Sequence, residues 1–195
     1  MNPEIRPLTP DMSESYLRFF DETPHDVNVD EKKCYCVTWR SDESYENAPY
    51  WFDTREERRT HAGQFVREGS IRGYLAFVDG KIVGWCNANE HCRLCLDYLR
   101  NFWPIEEYRE DVRVKSIFCF VISPAFQRQG IATEMVRFIC REAADDGFDF
   151  VEAYVFDPYD ETIHDFRGPI SMYEKCGFTR YAERDGKVVM RKALR

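Results

Sequence analysis

The stretch SPAFQRQGIATEMV, residues 123–136, follows six apolar residues, 117–122. Ser123-Pro124 ends a buried strand on this reading, and a helix begins near Gln129 or Gly130. A helix start leaves backbone N–H groups without intrahelical partners and carries partial positive charge, so it suits a phosphate. Gly130 lets the backbone approach closely and Ala132 keeps that approach uncrowded. Gln127, Arg128 and Gln129 add polar or positive contacts, and a pyrophosphate is a sensible occupant. Neither GxxxxGK[ST] nor an early GxGxxG is present, so the better-known phosphate loops do not fit. Taken alone, the stretch also reads as an ordinary strand-to-helix turn.

The surrounding elements decide whether such a loop could be held in place. Ile5–Leu8 predicts a first strand and TPDMSESYLRFFDET a capped helix. Residues 53–70 predict a helix with Asp53 or Thr54 as its N-cap and acidic residues in the first turn. Asp79-Gly80 and Asp185-Gly186 each lie between apolar runs, the strongest short hairpin signal, because both central residues need positive φ. HCRLCLDYLRNFWPIEEYRED reads as a long surface connection. VRVKSIFCFVI is apolar on both faces in its second half, hence a central strand. The helix after it, near 129–146, carries Ala132, Met135, Val136, Ile139 and Ala143 on one stripe, with Gly147 as its stop. FDFVEAYVF is another buried strand, and GPISMYEKCGF a short helix ended by Gly177. No repeat or linker interrupts residues 1–195, so one α/β domain is expected.

The formal net charge of −8 argues against nucleic acid and anionic membrane as partners, since both reward basic patches. The start, MNPEIRPLTPDM, has no basic region followed by an apolar one, and no apolar stretch nears the roughly 18 residues of a membrane helix. A cytoplasmic address is therefore expected, with the eight cysteines as reduced thiols. Cys34-x-Cys36 and His91-Cys92-x-x-Cys95 have spacings that a structural zinc site uses, but they lie far apart in sequence. Free thiols are the alternative, and no metal is expected. Cys119 and Cys140 read as core residues, Cys86 and Cys176 as packing residues. His25, His61 and His164 sit in polar contexts and take no role.

VISPAFQRQGIATEMV resembles the acetyl-CoA loop of the GCN5-related N-acetyltransferase (GNAT) superfamily, with Gln127, Gly130 and Ala132 at its defining places. SMYEKCGF is similar to that family's late helix, with Tyr173, Gly177 and Phe178. CYCVTWR, GWC, SIFCF, VEAY and GPISMYEKCGF further resemble a branch with a CxCxxWR segment. The resemblance implies a mixed, largely antiparallel central sheet flanked by helices, and direct acetyl transfer from acetyl-CoA to a primary amine. It implies that Phe120, Val121 and Ile122 offer backbone groups to the pantetheine arm. It further implies that residues from Gln127 through Arg128, Gln129, Gly130, Ile131 and Ala132 to Thr133 hold the pyrophosphate. Tyr173 would be the general acid, and Glu152 or Asp157 the base, with a packed aromatic, paired carboxylates or a water relay as the alternatives. DPYDETIHDFR departs from many relatives, and the Asn often used there is not carried over. Trp39, Tyr45, Tyr50, Trp51 and Phe52 would line an acceptor pocket or pack as core or lid. A homodimer is compatible with this reading. A non-catalytic CoA-binding module and a zinc-stabilised interaction protein are the competing functions.

Overall fold

In a computed structural model of the chain, seven strands among the described residues form one sheet in the order β1-β2-β3-β4-β5-β7-β6. The structure describes residues 2–24, 32–41, 51–90, 93–105, 111–160 and 165–195, without the side chains of 93–97 and 165. In chain order come β1 (Glu4–Pro7), α1 (Ser13–Glu22), α2 (Arg55–Arg67), β2 (Gly73–Val78) and β3 (Lys81–Glu90). Then follow α3 (Arg93–Phe102), β4 (Val114–Ile122), α4 (Ile131–Asp145), β5 (Phe150–Phe156), α5 (Ile170–Glu174), β6 (Thr179–Arg184) and β7 (Lys187–Ala193). All neighbouring strands are antiparallel except β4 and β5, which run parallel. This is the mixed, largely antiparallel sheet that the resemblance implied.

Both Asp-Gly pairs make their hairpins. Asp79 and Asp185 have φ of 49° and 52°, and Gly80 and Gly186 have 75° and 72°, which joins β2 to β3 and β6 to β7. The edges of the sheet are β1, only four residues long and ending in Pro7, and the polar β6.

Side chains of β4 sort to two faces. Ile117 and Phe120 join the cluster under α4, where Ile131, Met135, Val136, Ile139, Cys140 and Ala143 are buried. Cys119 and Val121 face the other way, into the core of α1 and α2 with Tyr16, Phe20, Phe65 and Trp85. Phe118 packs with Tyr154, Val189, Leu99 and Trp103 beneath α3. Ala132, expected on the buried stripe of α4, is only half-buried, because the first turn of that helix borders a cavity.

Residues 93–102, expected as part of a long surface connection, form a helix. Leu99, Trp103 and Ile105 are buried, while Phe102 lies exposed on the other side. The four-residue spacing of Leu99 and Trp103 carried that signal, masked by the polar and charged residues around them. Among the described residues no helix is long and apolar enough to cross a membrane.

Thr54 caps α2 through a reciprocal box. Its hydroxyl accepts from the Glu57 N–H at 3.2 Å, and the Glu57 carboxylate accepts from the Thr54 N–H at 3.0 Å. Those bonds hold the Glu57 carboxyl below the usual carboxylate range. Thr54→Ala is expected to lower unfolding stability by about 1 kcal/mol, read from the urea midpoint at unchanged slope.

Candidate active site

β4 and β5 pair over four rungs only, from Val114–Phe150 to Ile117–Ala153. Beyond them β4 stays on β3 as far as Ile122, and β5 stays on β7 as far as Phe156. The two strands therefore part, leaving Phe120–Ile122 of β4 without a β5 partner. A single 3-10 turn, Asp165–Arg167, fills part of the gap. There the Arg167 guanidinium donates from Nη1 to the Tyr154 carbonyl at 3.3 Å.

After β4 a 3-10 turn, Pro124–Phe126, leads into the loop, where Arg128 (φ 60°) and Gly130 (φ 84°) take left-handed conformations. Gly130 is the N-cap of α4, so the first N–H groups of the helix have no partner within it. A Cβ built on Gly130 would meet nothing within 4 Å, so the space above these amides is open. The Gln127 amide donates to the Ile122 carbonyl at 3.2 Å, and that of Gln129 to the Ala125 carbonyl at 2.8 Å. Both side chains thus brace the loop itself.

A cavity of about 950 Å³ joins the loop to the gap. Its walls include Phe120, Val121 and Ile122 of β4 and, from the loop and α4, Gln127, Arg128, Gly130, Ile131, Ala132 and Thr133. Gly168, Pro169, Met172 and Lys175 close it from the side of α5, and Cys34, Cys36, Trp39 and Trp51 from the opposite side. Gln129, alone among the expected cofactor-binding residues, is not on the wall. Lys32 and Lys175 add positive charge that the sequence reading did not assign.

Trp39 is fixed from several directions. Its carbonyl accepts from the Asn87 and Asn89 amides at 2.9 and 3.1 Å, and its ring stacks on Phe118 at 4.6 Å and 9°. Phe52 stacks on His61 at 4.0 Å, outside the cavity wall. Tyr45, Tyr50, His25 and His164 lie outside the described residues.

Tyr173 is buried behind Gly168 and Met172, and its hydroxyl donates to the Arg167 carbonyl at 2.8 Å. Burial pushes its phenol well above the ordinary tyrosine range, so the group keeps its proton. Glu152 has no exposed surface. It accepts from Arg191 Nε at 2.6 Å and from the Tyr154 hydroxyl at 2.9 Å, and that hydroxyl also meets Ser116 Oγ at 2.7 Å. Asp157 pairs with Arg180 at 2.5 Å beside the hairpin of β6 and β7. None of Tyr173, Glu152 and Asp157 is on the cavity wall.

Cys86, Cys119, Cys140 and Cys176 are buried, as expected of packing residues. Cys36 Sγ lies 3.3 Å from Cys119 Sγ, and burial raises the Cys36 thiol well above its usual range. Among the described residues no group of three or more His, Cys, Asp or Glu could hold a metal ion. His91, Cys92 and the side chain of Cys95 fall outside them.

The acetyltransferase (GNAT) family model matches residues 26–178. Among solved structures, the GNAT domain of the S. lividans protein PAT is 14% identical with a TM-score of 0.56, covering 98% of this chain and 90% of that one. The PaiA N-acetyltransferase of Thermoplasma acidophilum, solved with coenzyme A, is 16% identical with a TM-score of 0.53, covering 99% of each chain. The yncA protein of Salmonella typhimurium, solved with its cofactor acetyl-CoA, is 12% identical with a TM-score of 0.55, covering 99% and 94%. At these identities the likeness concerns the fold. Among curated proteins none matches the chain in sequence.

The ion pair under β5 yields a stability prediction. Arg191→Met removes the cation beside a carboxylate that water does not reach. Unfolding stability should fall by about 3 kcal/mol in urea denaturation.

Proposed function

This chain belongs to the acetyltransferase (GNAT) family, and on that premise we propose that it moves an acetyl group from acetyl-CoA to an amine. The observation that carries the reading is the open cradle of amides at the start of α4, beneath which no side chain intrudes at Gly130. Backbone groups of Arg128–Thr133 would hold the pyrophosphate, with Lys32 and Lys175 adding charge from the walls. The unpaired inner edge of β4 at Phe120–Ile122 would hold the pantetheine arm, and one N–H there would serve as an oxyanion donor. Bound acetyl-CoA supplies an acyl group activated as a thioester.

The chain's own residues then have three tasks. Walls drawn from both faces of the sheet hold the amine in line with the acyl group, which accounts for much of the rate. Tyr173 keeps a proton on its hydroxyl, parked on the Arg167 carbonyl, ready for a departing thiolate. An incoming ammonium must lose a proton. Glu152 and Asp157 are already engaged by Arg191 and Arg180, so the relay through water in the open cavity takes that task.

Gly130→Ala tests the cradle. The positive φ should cost stability by about 1–2 kcal/mol. The added methyl should weaken acetyl-CoA binding by about tenfold or more in calorimetric titration, because it stands where the phosphates need to lie. Equal affinity in variant and parent overturns the assignment.

Tyr173→Phe should lower turnover while acetyl-CoA affinity stays within about threefold, as for an acid that acts on the leaving group. Because burial raises the phenol, the parent's turnover should show no alkaline loss below about pH 10. A turnover equal to the parent's removes Tyr173 from the mechanism.

A further inference from the structure

Arg167 lies 5% exposed in the gap between β4 and β5, ringed by Trp103 at 5.0 Å, Phe166 at 5.1 Å and Phe156 at 5.8 Å. No carboxylate pairs with it among the described residues. Nη1 donates to the Tyr154 carbonyl and Nη2 to the Tyr98 hydroxyl at 3.0 Å, while Nε has no hydrogen-bond partner. A buried cation without a counter-charge is costly, and an unmatched buried N–H adds to the cost. Such a group calls for an explanation.

Two other arginines show what the empty edge is suited to. Arg59 sets Nε on Asp21 Oδ1 and Nη2 on Oδ2, at 3.0 and 2.9 Å, and Arg191 turns the same two atoms onto one oxygen of Glu152, Oε1. A guanidinium presents that edge as a fork matching the two oxygens of a carboxylate. In Arg167 the fork holds only a phenol on one tine. That phenol has its own O–H left to donate, since it accepts from Arg167.

The position is next to the proposed transfer site. Phe166 and Gly168, on either side of Arg167 in the chain, both line the cavity, and so does Cys119. The Arg167 carbonyl is the group that holds the Tyr173 hydroxyl. Arg167 and Tyr98 stand one layer behind the cavity wall: Trp39 lines the cavity and meets the Tyr98 ring edge-on at 4.8 Å, and the Tyr98 hydroxyl accepts from the guanidinium.

We propose that Arg167, with Tyr98, receives a carboxylate of the acceptor, so that the amine substrate is an amino acid or another amine that also bears a carboxylate. The inference rests on the acetyl-transfer reading for the identity of the cavity, and it names the substrate class that reading left open. Of the cations on the cavity wall, Arg128 belongs to the loop and Lys175 ends α5, where the phosphates are expected, and Lys32 stands with Cys34 and Cys36. Arg167 is the cation at the gap.

The test uses the full chain saturated with coenzyme A and a panel of α-amino acids, 3-aminopropanoate and 4-aminobutyrate, each beside its carboxamide. Binding is read by calorimetry, and transfer by thiol release from acetyl-CoA. At least one carboxylate should bind, and turn over at low substrate, about 30-fold better than its carboxamide. In Arg167→Met that preference should fall to near unity through the carboxylate's KM, with the carboxamide's KM and coenzyme A affinity unchanged. Tyr98→Phe, which keeps the ring, should lower the preference several-fold and serves if Arg167→Met does not fold. Carboxamides that match their carboxylates, a panel in which no carboxylate binds, or variants that weaken both alike overturn the inference. If coenzyme A itself fails to bind, the acetyl-transfer reading falls, and the same comparison on the unloaded protein still decides the role of Arg167.

Discussion

The architecture turns on a parallel ladder that stops after four rungs. Val114–Ile117 of β4 meet Phe150–Ala153 of β5, and beyond that point each strand keeps only its outer neighbour. Backbone polar groups that lose a ladder partner must be answered by something else. The turn Asp165–Arg167 does part of this, since the Tyr154 carbonyl takes a guanidinium N–H where a strand N–H would otherwise sit. The rest of the inner edge of β4 borders the cavity. A sheet that closed here would have no room for a substrate arm, and α4 would start against solid core.

The opposite wall is built from chain with little regular structure, and cations hold it. The Lys33 ammonium reaches the Asp21 carbonyl, and Arg58 donates to the carbonyls of Lys33, Phe52 and Asp53. Arg40 donates to the Val37 carbonyl and lies over the Phe65 ring at 4.8 Å. Asn87 and Asn89, on the buried stretch of β3, add the two bonds to Trp39. Carbonyls that a ladder would have satisfied are thus matched by long side chains. That is how Cys34, Cys36 and Trp39 come to stand against the cavity.

Much of this organisation was readable from local chemistry. The two Asp-Gly turns, the Thr54 cap, the stripe of α4 and the Pro-to-Gly loop each depend on residues within a few positions, so the sequence carries them directly. What escaped depends on neighbours distant in the chain. Helix α3 was obscured by its charged residues, and its buried Leu99 gains meaning only beside Phe118 and Val189. Glu152 looked available on its strand, and its engagement by Arg191 depends on β7 lying alongside. Arg167 stands one position before the recognised GPISMYEKCGF stretch, yet nothing local says that an arginine there would be buried. The Gln127 and Gln129 side chains matched a pattern, but where their amides point was set by the carbonyls of Ile122 and Ala125.

The margins of the sheet bear on how copies of the chain could meet. β1 offers four residues, one of them a proline without an N–H, and Glu4 and Arg6 pair with each other on it. β6 breaks register between Arg180 and Ala182, and Arg180 and Glu183 pair along it at 2.8 Å. Short, charged and irregular margins are poor templates for an eighth strand. Self-association by continuing the ladder from molecule to molecule is therefore opposed at both ends, which keeps the pleated surface finite and directs any docking of a second copy to helices and loops.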